Sequence, residues 1–207
     1  MKKKIISLFI LTLMIMVIIG CGAQTDKSTL SEIKEKKKFT YALTGAYPPF
    51  NYIDENGKLV GFDVDIANAL ADNIGVEAEP ITTQWDGIIG GLKSKRFDTI
   101  IGSMAITDER LKEVSFTDPY YYDGAQFFAK KDLNLKSIND LKDGKVGVVT
   151  GTTFQKQLEG ISNIKEILQF ESDIENFMSA ADGRSDGLVT SRFVGLQAPK
   201  EYNLVPV

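Results

Sequence analysis

From Phe39 onward the hydrophobic positions of this chain fall into a repeating plan. Residues 39–43 (FTYAL) alternate and predict a strand. Asn56-Gly57 is a turn signal between residues 50–53 and 59–60, which predicts a hairpin-like excursion. Residues 61–74 place Ile66, Leu70 and Ile74 on one stripe at helical spacing, and Gly75 is a suitable stop. Residues 77–83 read as a second strand. Asp86 is placed to cap a helix through Ser94 that buries Ile88, Ile89 and Leu92. Residues 98–104 (DTIIGSM) read as a third strand.

The second half repeats the plan. Strands are predicted over 125–130, 145–150, 165–170 and 186–190, with a last one opening at 203–207. Between them lie a helical turn at 137–141 and helices at 153–158, 173–181 and 192–200. Alternation of strand and helix predicts an α/β fold of two lobes in series, each a mostly parallel sheet flanked by helices. The first crossing falls near residues 122–125. Open sheets of this kind bind ligands at the carboxyl ends of their strands. The places to search are therefore 44–50, 84–86, 103–110, 150–154 and 190–192.

The N-terminus follows a different pattern. Lys2, Lys3 and Lys4 precede an apolar run of 15 residues, 5–19, broken only by Ser7 and Thr12. That suits the apolar core of a signal peptide and falls short of the ~20 residues of a spanning helix. The run ends Ile18-Ile19-Gly20-Cys21, which resembles a bacterial lipobox and makes Cys21 the candidate lipidation site. An uncleaved anchor helix is the alternative. Both place the globular part outside the cytoplasm, tethered to the membrane. Residues 22–29 read as a flexible tether and the Lys- and Glu-rich stretch after them as a short solvated helix.

Composition removes several classes of function. There are 24 Lys and Arg against 28 Asp and Glu, a net charge of −4. Loss of residues 1–20 takes away three lysines and shifts it to −7. No basic excess points to nucleic acid. There is no histidine, so a Ser-His-Asp triad and a His-ligated zinc site are excluded, and no metal site or cofactor is expected. The single cysteine allows no internal disulfide.

The predicted strand ends carry consistent chemistry. Tyr47 follows the first strand and Trp85, the only tryptophan, follows the second. Both are placed to face a crevice; core packing is the alternative for each, and Phe50 is the better core candidate. The third strand ends GSMAIT, whose small side chains leave N–H groups open to an anion. Arg110 follows one turn later and offers a planar bidentate fork, unless it is spent on Asp108 or Glu109. Thr150-Gly151-Thr152-Thr153 stands at a strand-to-helix turn and is not a Walker loop.

These stretches together carry a resemblance. Tyr47-Pro48-Pro49-Phe50, Gly57-Lys58-Leu59-Val60-Gly61-Phe62-Asp63, Trp85-Asp86-Gly87, Ile106-Thr107-Asp108-Glu109-Arg110 and Phe116-Thr117-Asp118-Pro119-Tyr120 occur in this order. Together they resemble the family 3 extracellular solute-binding proteins, the polar amino-acid receptors of ABC importers. The resemblance implies a type II periplasmic-binding-protein-like fold that closes on an amino acid. It implies a monomeric lipoprotein at the extracytoplasmic face of the membrane, which delivers its ligand to the permease subunits and is not an enzyme. It assigns the ligand α-carboxylate to Arg110, with N–H groups around Ser103 and Ala105 and with Thr152 and Thr153. Tyr47 and Trp85 then sandwich the ligand side chain.

The resemblance also implies departures. Where family members often carry acids for the α-ammonium, this chain has Thr44 and Ser191, ligand-binding candidates whose neutral hydroxyls are a weaker substitute; where they often carry a hydroxyl, it has Ala105. Either another acid, such as Asp86 or Glu171, serves the ammonium, or the ligand is not a standard α-amino acid. The expected organisation is a leader at 1–20, a tether at 21–37, lobe 1 at 38–124 and lobe 2 at 125–207. The second lobe is expected to be incomplete, because relatives return to the first lobe after such a strand. A chain truncated in that way is expected to be of low stability. A ligand-sensing domain and a dehydratase-like cleft enzyme are the alternatives on the same fold.

Overall fold

A computed structural model describes residues 28–198 and 200–207. The leader, the lipobox at Cys21 and most of the tether lie outside the described residues. The chain divides into two units, Met1–Glu32 and Ile33–Val207. What is described of the first is the start of helix α1 (Thr29–Lys36). The second holds every strand of the described residues.

Its first sheet has the order β5-β1-β6, all parallel: β1 is Lys38–Leu43, β5 Glu77–Thr82 and β6 Thr99–Ile100. Between β1 and β5 lie the small antiparallel sheet β2 (Ala46–Tyr47), β3 (Asn51–Ile53) and β4 (Leu59–Val60), and helix α2 (Phe62–Ile74). Helix α3 (Ile88–Lys93) joins β5 to β6, and the four-residue α4 (Asp108–Leu111) follows β6. Gly61 enters α2 at φ 125°, and a Cβ there would lie 2.4 Å from the Phe50 carbonyl oxygen, so the close passage of the two chains needs glycine.

The second sheet has the order β11-β7-β10-β8-β9. Strands β8 (Gly144–Val149), β9 (Ile164–Phe170) and β10 (Gly187–Ser191) are parallel. Strands β7 (Ala125–Lys130) and β11 (Leu204–Pro206) run antiparallel to their neighbours. Helices α5 (Thr153–Glu159), α6 (Asp173–Ala181) and α7 (Arg192–Leu196) connect them. The strands of β8 and β10 are buried along almost their whole length, as expected of central strands covered on both faces.

Four details depart from the sequence reading. The buried stripe of α2 is Asp63, Ala67 and Ala71, while Leu70 is 44% exposed, because small residues let the helix approach the sheet closely. Helix α3 starts at Gly87 without a side-chain cap, so Asp86 does not cap it. The third strand stops at Ile100: Ser103 takes a left-handed φ of 59°, which ends extended pairing. Helix α7 ends at Leu196, short of the expected 200.

Candidate functional site

The carboxyl ends of the parallel strands of both sheets border one cavity of about 520 Å³. The first lobe contributes Thr44 after β1, Thr83 to Trp85 after β5, and Ser103, Ala105 and Arg110 after β6. The second contributes Thr152 and Thr153 after β8, Glu171 and Asp173 after β9, and Val189 from β10. The size suits a small molecule.

Arg110 sits on the one-turn helix α4, whose N-cap Thr107 accepts the Arg110 backbone N–H at 3.2 Å. Its guanidinium does not pair with Asp108 or Glu109. Nη1 donates to the Ala105 carbonyl at 2.8 Å, and Nη2 crosses the cleft to the Gly151 carbonyl at 3.2 Å. The guanidinium carbon lies 5.5 Å from the centre of the Trp85 ring, within cation–π range. Partial burial lowers the arginine pKa, partly offset by Glu109, and the group stays cationic. Glu109 instead meets Lys156 of the second lobe at 2.6 Å, both largely exposed.

Thr44 and Ser103 line the cavity, but most of their donors are spent inside the first lobe. The Thr44 hydroxyl donates to Asn51 Oδ1 at 3.1 Å, and Asn51 Nδ2 donates to Asp63 at 2.7 Å. Asp63 is fully buried and accepts the Ser103 hydroxyl at 2.9 Å and the Tyr120 hydroxyl at 2.7 Å. The Ser103 N–H, expected to face a ligand, donates to Tyr120 Oη at 3.0 Å. Burial pushes the Asp63 carboxyl up despite the Tyr120, Asn51 and Ser103 hydrogen bonds. These links tie the β1–β2 loop, the start of α2, the end of β6 and the segment before β7 into one rigid wall. The Ala105 amide has no hydrogen-bond partner among the described residues.

Tyr47 and Trp85 both line the cavity. Trp85 also packs on the core around Ile88 and Phe97. One face of Tyr47 stacks on Phe50 with ring centres 5.5 Å apart, so only part of the ring is available to a ligand. Burial drives the Tyr47 phenol pKa well up, and the nearby Asp173 charge adds to it. Phe50 is core, 5% exposed.

Ser191 departs from expectation. It is 2% exposed and does not line the cavity; its hydroxyl donates to the Asp123 carboxylate and caps α7 by accepting the Val194 N–H. The strand end at Ser191 is therefore closed off by an internal bond. In the turn after β8, Thr152 donates its hydroxyl to the Val149 carbonyl at 2.7 Å and caps α5, and Thr153 is the first residue of that helix.

Of the two acids suggested for a ligand cation, Asp86 lies against Gly151 but outside the cavity lining. Glu171 lines it, exposed, and accepts Gln84 Nε2 from the other lobe at 3.2 Å. The sequence reading missed a third acid. Asp173, the first residue of α6, is 5% exposed and lines the cavity. Burial raises its carboxyl to about 6, with a smaller opposing effect from the Thr190 hydroxyl. A signal was legible: Asp173, Asn176, Phe177 and Ala180 form one helical stripe, and all are buried, while Ile174 and Met178 face outward. Two polar residues on the inward stripe of an amphipathic helix mark a polar site.

A two-lobed α/β body with a cavity at its strand ends defines a small-molecule-binding architecture. Residues 39–181 match the model of the bacterial extracellular solute-binding proteins, family 3, and the chain belongs to that family. It is 36% identical over 180 residues to the L-cystine-binding protein TcyJ of Escherichia coli K12, covering 86% of this chain and 68% of that relative. It is 37% identical over 152 residues to the ABC transporter arginine-binding protein 1 of the same organism, covering 73% and 62%. Among solved structures, the ancestral amino acid-binding protein AncCDT-1, a precursor of cyclohexadienyl dehydratase, superposes with a TM-score of 0.82 at 38% identity. That match covers 87% of this chain and 81% of that one. With relatives named as binding proteins, the chain is a solute-binding protein and not an enzyme.

Proposed function

We propose that this protein captures an amino acid between its lobes and delivers it to the permease of an ABC importer. In this reading residues 38–124 and 125–207 are the two lobes, residues 1–20 are a leader and 21–37 a tether. The protein works as a monomer at the extracytoplasmic face of the membrane, held there by lipid on Cys21. The observation that carries the reading is Arg110. It stands in the cavity with its guanidinium satisfied only by two backbone carbonyls and an aromatic face. A ligand carboxylate is a stronger partner than a carbonyl for a bidentate fork. The Ala105 amide, Thr152 and Thr153 stand near it as further partners, with Trp85 and the free part of Tyr47 against the ligand side chain. Thr44 and Ser191 act through the walls they brace. Relatives named for L-cystine and arginine support an amino acid as the ligand.

Isothermal calorimetry against the twenty amino acids and L-cystine tests the proposal. Saturable binding of at least one, lost in Arg110→Ala, is expected. Absence of binding to all of them overturns it. Lipidation is tested separately: Cys21→Ser is expected to release the protein from the membrane fraction.

A further inference from the structure

The second-lobe wall of the cavity holds one buried carboxylate that the fold itself leaves incompletely satisfied. Asp173 is 5% exposed, yet its Oδ1 has no hydrogen-bond partner. The Thr190 hydroxyl on the adjoining strand is near enough to temper the Asp173 carboxyl, yet it makes no hydrogen bond to it. Buried polar atoms in native proteins are nearly always paired, and a buried carboxylate most of all. A buried carboxylate that lines a cavity and has an oxygen left unpaired is placed to receive a donor from a ligand.

We infer that Asp173 is the acid that receives a cationic nitrogen of the bound ligand. The site then selects ligands that carry a carboxylate and a cationic nitrogen together. The inference rests on the amino-acid reading above and gives its second charge a residue. The positions where relatives would lead one to expect that acid are occupied by Thr44 and Ser191, whose hydroxyls donate to Asn51 and Asp123. Asp86 stands outside the lining. Glu171 is exposed and joined to Gln84, and Glu175 is exposed and accepts the Glu171 N–H at 3.1 Å. Among the acids lining the cavity, Asp173 alone combines burial with an unpartnered oxygen. Arg110 belongs to the first lobe and Asp173 to the second, so a zwitterion spans the cleft with one charge held by each. Such a ligand stabilises the closed arrangement by more than either contact alone.

The groups around Asp173 set the pH response. Tyr47 faces it from β2, Thr190 from β10, and Glu171 and Glu175 flank it on its own segment; Asp123 also acts on Tyr47. Tyr47 adds no charge near neutrality. Burial among these groups holds the Asp173 carboxyl at about 6 without ligand. Arrival of a cation lowers it, so binding at pH 6 releases a proton.

The test uses calorimetry on the full chain with L-arginine, L-cystine and the remaining amino acids. Each binder is paired with an analogue lacking one cationic nitrogen: the α-hydroxy acid for the α-ammonium, and citrulline for the guanidinium of arginine. Asp173→Asn is expected to weaken the amino acid at least about tenfold. The affinity of the analogue that lacks the held nitrogen is expected to stay as in the wild type. Equal affinity of Asp173→Asn and wild type for the amino acid overturns the inference, as does an equal loss for amino acid and neutral analogue. A second arm needs no substitution: wild-type binding enthalpy at pH 6 should depend on the ionisation enthalpy of the buffer, and no dependence overturns the inference. A wild type that binds no amino acid overturns the functional reading instead, and this inference with it.

Discussion

Arg110 of the first lobe donates from Nη2 to the carbonyl oxygen of Gly151 in the second, at 3.2 Å. That bond, with Gln84 to Glu171 and Glu109 to Lys156, joins the two sides of the cavity. A ligand carboxylate must take the guanidinium over from these carbonyls. Arg110→Lys is expected to lose at least about tenfold in ligand affinity, because an ammonium cannot reproduce the planar fork. Calorimetry with the amino acid bound by the wild type measures it. The thermal stability of the unliganded variant should barely change, since the bonds lost go to exposed carbonyls.

The exposed pair between Glu109 and Lys156 provides the contrast. Both side chains are more than 60% exposed, and solvent screens their attraction. Lys156→Ala is expected to leave the melting temperature unchanged, in low and in high salt alike. A differential scan at two ionic strengths checks it.

Asp173 ties stability to pH with a sign opposite to that of most carboxylates. Its pKa is raised from 3.8 to about 6 in the folded chain, so the folded state binds more protons between those values than the unfolded state. The buried group therefore contributes least destabilisation below pH 3.8, and its cost is fully present once pH rises through about 6. Asp173→Asn is expected to raise the stability of the unliganded protein above that pH, by up to ~3 kcal/mol. The advantage should shrink steadily as pH falls toward 4. Melting curves of both proteins across that range measure the difference.

Tyr120 holds two partners with one oxygen: it donates to Asp63 at 2.7 Å and accepts the Ser103 N–H at 3.0 Å. Tyr120→Phe leaves the Ser103 N–H without its acceptor and removes one of the donors to the fully buried Asp63. A loss of about 1–3 kcal/mol is expected in denaturant unfolding. Ligand affinity should fall with it, because the Ser103 turn borders the cavity.

Gly147 of β8 faces Asn176 of α6 so closely that a Cβ would lie 2.0 Å from Asn176 Oδ1. Gly147→Ala is expected to push α6 away and cost about 1–3 kcal/mol, read as a lower melting temperature. Since α6 carries Asp173, amino-acid binding should weaken as well.

The alternation of strand and helix was legible along nearly the whole chain, because strand and helix periods are local properties. Gly75 stopping α2 and Asn56-Gly57 turning β3 into β4 follow from single residues and their neighbours. The strand ends named in advance, carrying Trp85, Arg110, Thr152 and Thr153, do border one cavity, since parallel topology alone brings them to one side. What a side chain is bonded to was not legible. Ser103 and Ser191 were read as facing a ligand, and both spend their hydroxyls on acids far away in sequence, the buried Asp63 and the exposed Asp123. Asp173 was read only as a helix start. Its burial depends on the rotation of α6 about its axis and on Gly147 leaving room beneath it, which the packing of helix on sheet decides. Sequence determined the elements, their order and the position of the cleft. Tertiary structure decided which of the polar groups at that cleft are already satisfied and which are left for a ligand.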